Sequence, residues 1–268
     1  MRWGAAIAFL MPLILAAQPA RGNDTEAVLA GSVLTFKKSD GIAMESEELT
    51  IAPYKVEVAY RFRNTSTADI TTRVAFPMAP YTSVEDQNTW EAIETEPARK
   101  KYWQEFGRFT VTVDGKSVKF ETIADLTRDG ATVTVTHHWV QTFPAGKTLS
   151  VRHTFQPNGG FLYDFTNGDD KRLTDLPRDY CVGPSLFKAM KTRGPGSITQ
   201  VHYVLKTGAN WKGPIGKFVL RVHKEKASDK SSLCMDGFKK VDARTFILEK
   251  TDYVPTQDLK VAFIRYND

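Results

Sequence analysis

Apolar and polar residues alternate with a period of two along most of the chain. Residues 55–63 show the pattern in full, reading Lys-Val-Glu-Val-Ala-Tyr-Arg-Phe-Arg. This period places successive side chains on opposite faces of a β-strand. The pattern predicts strands at 33–36, 55–63, 109–113, 116–120, 133–143, 149–155, 201–206, 218–223, 245–250 and 259–266.

Two segments carry the end signals of helices instead. Residues 96–106 have Pro97 in the first turn and are followed by Gly107, an arrangement typical of a short helix. Residues 185–192 lie between a proline and a glycine in the same way. Two Asp-Gly pairs, Asp114-Gly115 and Asp129-Gly130, mark turns between strands, and the first has the form of a type I′ hairpin turn.

Many short strands joined by Gly, Pro and Asp turns indicate a mainly β protein with antiparallel β-sandwich architecture and one or two short helices. Residues 158–177 are rich in Gly, Asp and Asn, which is typical of a boundary. We therefore expect an N-terminal β-sandwich-like domain at 23–160, a linker at 161–176 and a C-terminal β-domain at 177–268. One continuous, larger sandwich is the alternative.

The first 22 residues have the form of a secretory signal peptide. Arg2 precedes an uncharged, mostly apolar run at 4–17, and the small residues Ala20 and Gly22 suit a cut before Asn23. The alternative, a membrane anchor, would need about 20 apolar residues. The sequence predicts a protein that does not span the membrane and is periplasmic or secreted after cleavage at Gly22-Asn23.

Composition adds little that is specific. The 268 residues are 41% hydrophobic and 25% charged, as in ordinary globular proteins. Thirty-six basic against 31 acidic side chains give a net charge of +5, an excess too small to indicate nucleic-acid binding.

The two cysteines, Cys181 and Cys234, fit the predicted compartment. An even number in an oxidising environment favours a disulfide. A zinc site would need Cys or His at short spacings, which neither residue has. A catalytic thiol is the other alternative, but the second cysteine favours pairing.

Two histidines stand out within a predicted hairpin formed by 133–143 and 149–155. A three-residue loop, Pro144-Ala145-Gly146, sets a register that places His137 opposite His153. We interpret them as neighbouring neutral core histidines; the alternative is a metal or pH-sensing site. Metal binding would need further ligands, and no carboxylate lies on this face of the hairpin.

The sequence contains no catalytic signature. It lacks Gly-x-Ser-x-Gly, a phosphate loop, Gly-x-Gly-x-x-Gly and His-Glu-x-x-His, so neither a cofactor nor a metal is predicted. The acidic run of Glu45, Glu47 and Glu48 is typical of a solvated edge. Trp211 stands in a Gly- and Pro-rich loop, where it either fills the core or faces a ligand.

An ordered set of motifs resembles a known family of secreted bacterial proteins, domain of unknown function 4424. The most specific is Thr-Gly-Ala-Asn-Trp-Lys-Gly-Pro-Ile-Gly-Lys-Phe at 207–218. The others are at 60–66, 74–78, 113–116, 141–147, 180–181, 234–237, 253–255 and 258–259. The resemblance covers nearly all of the chain after residue 22. It implies an exported bacterial protein and implies no activity.

Three functions follow from these observations. We favour a non-enzymatic envelope protein that binds a small ligand or an envelope protein, with Trp211, His137 and His153 as candidate ligand-binding residues. The second is an envelope hydrolase assembled from distant residues, including His202 or His223. The third is a structural assembly subunit that offers an unpaired edge strand.

Overall fold

The fold is taken from a computed structural model that describes residues 23–30, 33–82, 96–126, 132–157, 163–165, 173–193 and 195–267. Three predictions fall outside these residues. They are the signal peptide, the Asp129-Gly130 turn and most of the expected linker.

The described residues are mainly β, with eighteen strands. In chain order these are β1 Thr25–Ala30, β2 Val33–Lys37, β3 Ile42–Ala52, β4 Lys55–Asn64, β5 Ile70–Pro77, β6 Tyr81–Thr82, β7 Thr110–Val113, β8 Lys116–Ser117, β9 Glu121–Leu126, β10 Thr132–Phe143, β11 Thr148–Phe155, β12 Tyr163–Phe165, β13 Gly196–Tyr203, β14 Ile215–His223, β15 Lys230–Ser232, β16 Lys239–Lys240, β17 Thr245–Tyr253 and β18 Leu259–Tyr266.

Three short α-helices lie within the described ranges: α1 Glu96–Glu105, α2 Leu176–Asp179 and α3 Pro184–Thr192. The first and third confirm the two predicted helices. Gly107 follows α1 with a φ of 65°, a left-handed conformation that glycine adopts at little cost. The four-residue α2 was not predicted, because it is too short to show a period.

The strands form three sheets. Sheet A has six strands, in the order β2-β1-β5-β10-β6 with β9 also on β10. Sheet B has eight, in the order β16-β17-β14-β3-β4-β11-β7-β8, and sheet C has β12-β13-β18-β15. This confirms the predicted mainly β, sandwich-like fold.

One strand pair differs from the rest. Strands β3 and β14 run parallel, with Ser46 opposite Lys217, whereas the other described pairs are antiparallel. This pair joins the two sides of the expected linker in one sheet, and the main core likewise combines residues such as Val58 and Phe218. That the two parts fold independently stays a prediction, but sheet B contains strands from both sides of the expected linker.

A second, smaller core lies beside sheet C. Its buried members include Phe165, Leu176, Met190 and Ile264. The disulfide between Cys181 and Cys234 is present, with the two Cα atoms 5.0 Å apart. Among the described residues, no helix has the length and apolar character needed to cross a membrane.

The turn prediction at Asp114-Gly115 is confirmed. Strands β7 and β8 pair on either side of it, and both turn residues have positive φ, 48° and 79°. Two successive positive φ values are what a type I′ turn requires.

The predicted hairpin of β10 and β11 is wrong. Strand β10 pairs with β5 and β9 in sheet A, whereas β11 pairs with β4 and β7 in sheet B. His137 lies opposite Phe76 and Thr122, not His153. The short loop after Phe143 carries the chain from one sheet to the other. A period of two shows which side chains of a strand share a face. It does not show whether two strands pair within one sheet or face each other from two packed sheets.

Candidate functional site

The three predicted ligand-binding residues are all buried in the main core. His137, His153 and Trp211 are 0%, 1% and 1% exposed. The two imidazoles approach each other across the sandwich because both pack on Phe109, with ring centroids 4.4 and 5.1 Å away. Their proximity therefore comes from facing sheets and not from the cross-strand pairing that the sequence suggested.

His137 is held as a neutral core histidine. Its ring stacks on Phe109 with an interplanar angle of 14°, and Nδ1 lies 2.9 Å from the hydroxyl of Thr122. Burial, together with the smaller effects of the charges of His153 and His138, lowers the pKa of His137 to about 3. A neutral ring in this setting supports packing and does not titrate near pH 7.

His153 has a partner that the sequence did not reveal. Its Nε2 lies 3.0 Å from Oδ2 of Asp24, and both side chains are fully buried. Burial raises the pKa of Asp24, while the charge and hydrogen bond of His153 oppose the rise. The carboxylate missing from the predicted hairpin face thus comes from the segment just before β1, which carried no signal in the sequence.

Glu47 corrects a second expectation, since it is 0% exposed and not at a solvated edge. A register shift between Met44 and Ser46 explains it. Before the shift Ile42 and Met44 point inward, and after it Glu47, Leu49 and Ile51 do so. A bulge adds one residue and reverses the alternation, which a strict period of two does not anticipate.

Hydrogen bonds tie Glu47 to the start of the described chain. The side-chain amide of Asn23 donates to Oε2 of Glu47 at 2.8 Å, and the Tyr203 hydroxyl donates to Oε1 at 3.0 Å. The Tyr60 hydroxyl donates to Oδ1 of Asn23 at 2.6 Å and lies 2.9 Å from the hydroxyl oxygen of Tyr203. The Thr207 hydroxyl contacts both the backbone nitrogen and the backbone oxygen of Asn23. We call this group the Asn23 cluster; it comprises Asn23, Asp24, Glu47, Tyr60, His153, Tyr203 and Thr207.

The electrostatics of the Asn23 cluster are unusual for a core. The pKa of Glu47 is raised to about 8, because burial outweighs the hydrogen bonds from Asn23 and Tyr203 and the charge of Asp24 adds to the rise. Burial also raises the pKa of Tyr60 and Tyr203 well above the ordinary value. Two carboxyl groups and two phenols therefore share one dry site.

Trp211 covers this cluster. Its indole Nε1 donates to the backbone oxygen of Asp24 at 2.6 Å. The ring packs on Phe62 and Phe143, with centroids 4.6 and 6.3 Å away. The geometry agrees with the core-filling interpretation of the loop at 207–218.

Each histidine of the hydrolase alternative contacts a hydroxyl group. His202 Nε2 is 2.6 Å from the Tyr180 hydroxyl, and the adjoining cavity measures about 10 Å³, room for about one water. Burial and the charge of Lys260 lower the pKa of His202 to about 4, although the charge of Asp179 opposes this. His223 Nδ1 lies 3.0 Å from the Thr245 hydroxyl. Within the described ranges, His, Cys, Asp and Glu side chains form no group of three suited to a metal.

An open groove lies beside the disulfide, between the edges of sheets B and C. Its cavity measures about 190 Å³. Ser231 and Ser232 of β15 line one part of it, and the Ser232 hydroxyl donates to the backbone oxygens of Tyr180 and Cys181. The apolar wall consists of Val222, Leu233, Met235, Phe238 and Phe246. Except for Val222, these apolar side chains are only partly buried, so the groove exposes apolar surface to solvent. No single sequence motif marks it, because β14, β15 and β17 each supply part.

Comparisons with known proteins place the chain in a family and give it structural neighbours. The sequence profile of a domain of unknown function (DUF4424) matches residues 22–134 and 124–262. No curated protein matches the chain. The structure of "a putative nutrient binding protein" from Legionella pneumophila is similar over 90% of this chain and 70% of that one, with 17% identity and a TM-score of 0.53. An M1 zinc metallopeptidase from Deinococcus radiodurans matches over 86% of this chain but 44% of its own, with 13% identity and a TM-score of 0.32.

Proposed function

We propose, from the premise that this chain belongs to the DUF4424 family, that it is an exported, non-enzymatic protein that binds a small ligand in the cell envelope. The observation that carries the proposal is the open groove beside the Cys181–Cys234 disulfide. The resemblance to the Legionella protein, whose description names nutrient binding, is consistent with this function.

The chemistry of the groove defines a class of ligand. Met235, Phe238 and Phe246 offer an apolar wall, and Ser231 offers a hydroxyl for a hydrogen bond. Such a combination orients a ligand that has an apolar body and a polar end. The volume of about 190 Å³ lies below the range of about 300–1,000 Å³ typical of ligand pockets, so the ligand is small.

The residues beside the groove carry charges of both signs, since lysines and the exposed Asp236 adjoin its lining. Lys230 and Lys239 flank its serine and phenylalanine walls in sequence, and both are exposed. Lys224 lies with its Nζ 5.7 Å from the centre of the Phe246 ring. Burial lowers the pKa of Lys224, the charges of Lys230 and Lys240 add to this, and those of Asp229 and Asp242 oppose it. The exposed Lys230 and Lys239 favour a ligand whose polar end is anionic, such as a short-chain carboxylate or an apolar amino acid.

Ligand binding to the groove should stabilise the fold. We expect leucine or hexanoate, as probes, to raise the free energy of unfolding by about 2.7 kcal/mol at 100 times Kd. Thermal unfolding at increasing probe concentration measures this. Native mass spectrometry of protein purified from its own periplasm should show the natural ligand as an added mass.

A charge placed in the groove supplies the specific test. Met235→Asp should abolish the probe-dependent shift because it puts a carboxylate against an anionic ligand. Val140→Asp is the matched control, since Val140 is 59% exposed on sheet A and away from the groove. Equal shifts in both variants, or a bare protein that no probe stabilises, would overturn the proposal. A second protein chain in the native spectrum would instead favour an envelope partner.

A further inference from the structure

The first residue after the predicted cleavage point lies inside the protein. Asn23 is 0% exposed, and the next four residues are also buried. New chain ends are usually found at the surface and poorly ordered. A terminus that is buried together with carboxyl groups therefore calls for a physical reason.

The Asn23 cluster contains acceptors suited to a cation. The backbone nitrogen of Asn23 contacts the Thr207 hydroxyl, and its own side chain already holds Glu47. The second carboxyl oxygen of Asp24, Oδ1, is buried without a hydrogen-bond partner. The recorded side-chain partners of these carboxyl groups are Asn23, Tyr203 and His153. Within the described chain, neither carboxyl group forms an ion pair with lysine or arginine.

We propose that the Asn23 cluster is a binding site for a primary ammonium group, and that its ligand is the α-amino terminus made by cleavage before Asn23. Water adds across the Gly22–Asn23 peptide bond in a reaction performed by a signal peptidase. Gly22 leaves with a carboxylate, and the new amine of Asn23 takes up a proton. The inference rests on the export proposed above and is independent of the groove.

The charge balance of the core changes at that step. Before cleavage, the Asn23 nitrogen is an uncharged amide with one N–H, and two buried carboxyl groups face only neutral donors and one histidine. After cleavage, the same nitrogen carries a positive charge and three donors for Thr207 and the carboxylates. An unpaired buried charge is costly, whereas a paired and hydrogen-bonded one is tolerated. Processing thus completes the native core.

The titration behaviour of the cluster agrees with this geometry. The pKa of Glu47 lies at about 8 because burial removes water and no described cation compensates. An α-ammonium beside it would lower that pKa and would itself remain protonated above the ordinary α-amino range of about 7.7–8.0.

Chemical labelling tests the burial of the amine directly. The full-length gene is expressed with its own signal sequence, and the denatured mass of the periplasmic product establishes whether the chain begins at Asn23. The folded protein is then acetylated near neutral pH. We expect the Asn23 amine to react at least ~100-fold more slowly than exposed lysines, because it must wait for local unfolding. Lys217, whose side chain is 60% exposed, is the internal reference.

A coupling experiment tests the charge. A Gly-Ser dipeptide inserted between Gly22 and Asn23 moves the terminus away from the cluster and should lower Tm by roughly 10 °C. Glu47→Gln should lower Tm in the processed chain but leave the extended chain nearly unchanged, since there Glu47 has no ammonium partner. Glu48→Gln is the matched control, because Glu48 is the half-exposed neighbour of Glu47 and pairs with Arg221 at the surface.

The outcomes separate the two proposals. A periplasmic product that begins at Asn23 but whose amine reacts as fast as Lys217 overturns the inference and leaves export intact. Equal effects of Glu47→Gln in both chains also overturn it. A product that retains residues 1–22 removes the premise of export and the inference with it.

Discussion

The distinctive residues of this core are buried polar side chains that no sequence pattern indicates. Glu47 and Asp24 are fully buried, yet neither stands in a motif that marks a site. Asp24 reaches His153 from 129 positions away, so only the folded chain brings them together. Their neighbours Tyr60 and Tyr203 lie on the apolar faces of strands with a period of two, so the sequence makes them look like ordinary core residues.

The acid sensitivity of the protein should depend on His137. Its pKa is about 3 in the fold, against about 6.5 when unfolded. Between these values the unfolded chain binds one more proton, so His137 contributes stability above about pH 6.5 that is lost as the pH falls. We expect the free energy of unfolding to fall by about 1.4 kcal/mol for each unit that the pH drops within that window.

Urea unfolding at a series of pH values measures this slope. His137→Gln keeps a polar group near Thr122 but cannot titrate, so its curve should be flatter than that of the wild type. His223→Gln, at a half-buried position near the surface, is the control and should retain the slope. Parallel curves for His137→Gln and the wild type would contradict the assignment.

At the scale of elements, the bulge in β3 depends on its neighbour β14. A Cβ added to Gly216 would lie 2.7 Å from the backbone oxygen of Glu45, closer than atoms normally pack. The sheet can therefore approach the bulge only where a residue lacks a side chain. Gly216 thus allows the shift in alternation that directs Glu47 inward.

Gly216→Ala should destabilise the protein by about 1–3 kcal/mol, because backbone must move to relieve the contact. Denaturant unfolding measures the loss. Gly183→Ala is a suitable comparison, since an added Cβ there meets nothing within 4 Å. If both variants unfold at the same denaturant concentration, the bulge does not require glycine.

The same elements show what a single sequence predicts. The strands at 55–63 and 259–266 were located closely, because half-buried strands carry a clear period of two and their ends carry turn residues. Strand β1 was not predicted, and β3 was missed because its bulge interrupts the period. The pairing of β10 with β11 was wrong, since a short loop permits both a hairpin and a crossing between sheets. Consequently the core histidines were placed near each other for the wrong reason, and their carboxylate partner was missed.

For the whole molecule, the disulfide links the smaller core to the open groove. Cys181 follows α2, and Cys234 stands next to Leu233 and Met235 in the groove. The bond closes a separation of 53 residues. The disulfide therefore stabilises the fold and also limits the motion of one groove wall.

Replacing Cys181 and Cys234 together by serine should cost roughly 4 kcal/mol of unfolding free energy in the chain-entropy model. Chemical denaturation with and without a reductant measures it. The reduced wild type should match the double variant, and the double variant should not respond to reductant. A wild type that is unaffected by reduction would show that the bond adds nothing to stability.

The parallel pair of β3 and β14 also dictates when folding can finish. Ser46 meets Lys217 only after about 170 further residues have been made, and such distant contacts slow folding. Until then β3 has no neighbour on that side, and the core remains open. In a chain emerging from the ribosome, sheet B would thus stay incomplete until β14 has been made.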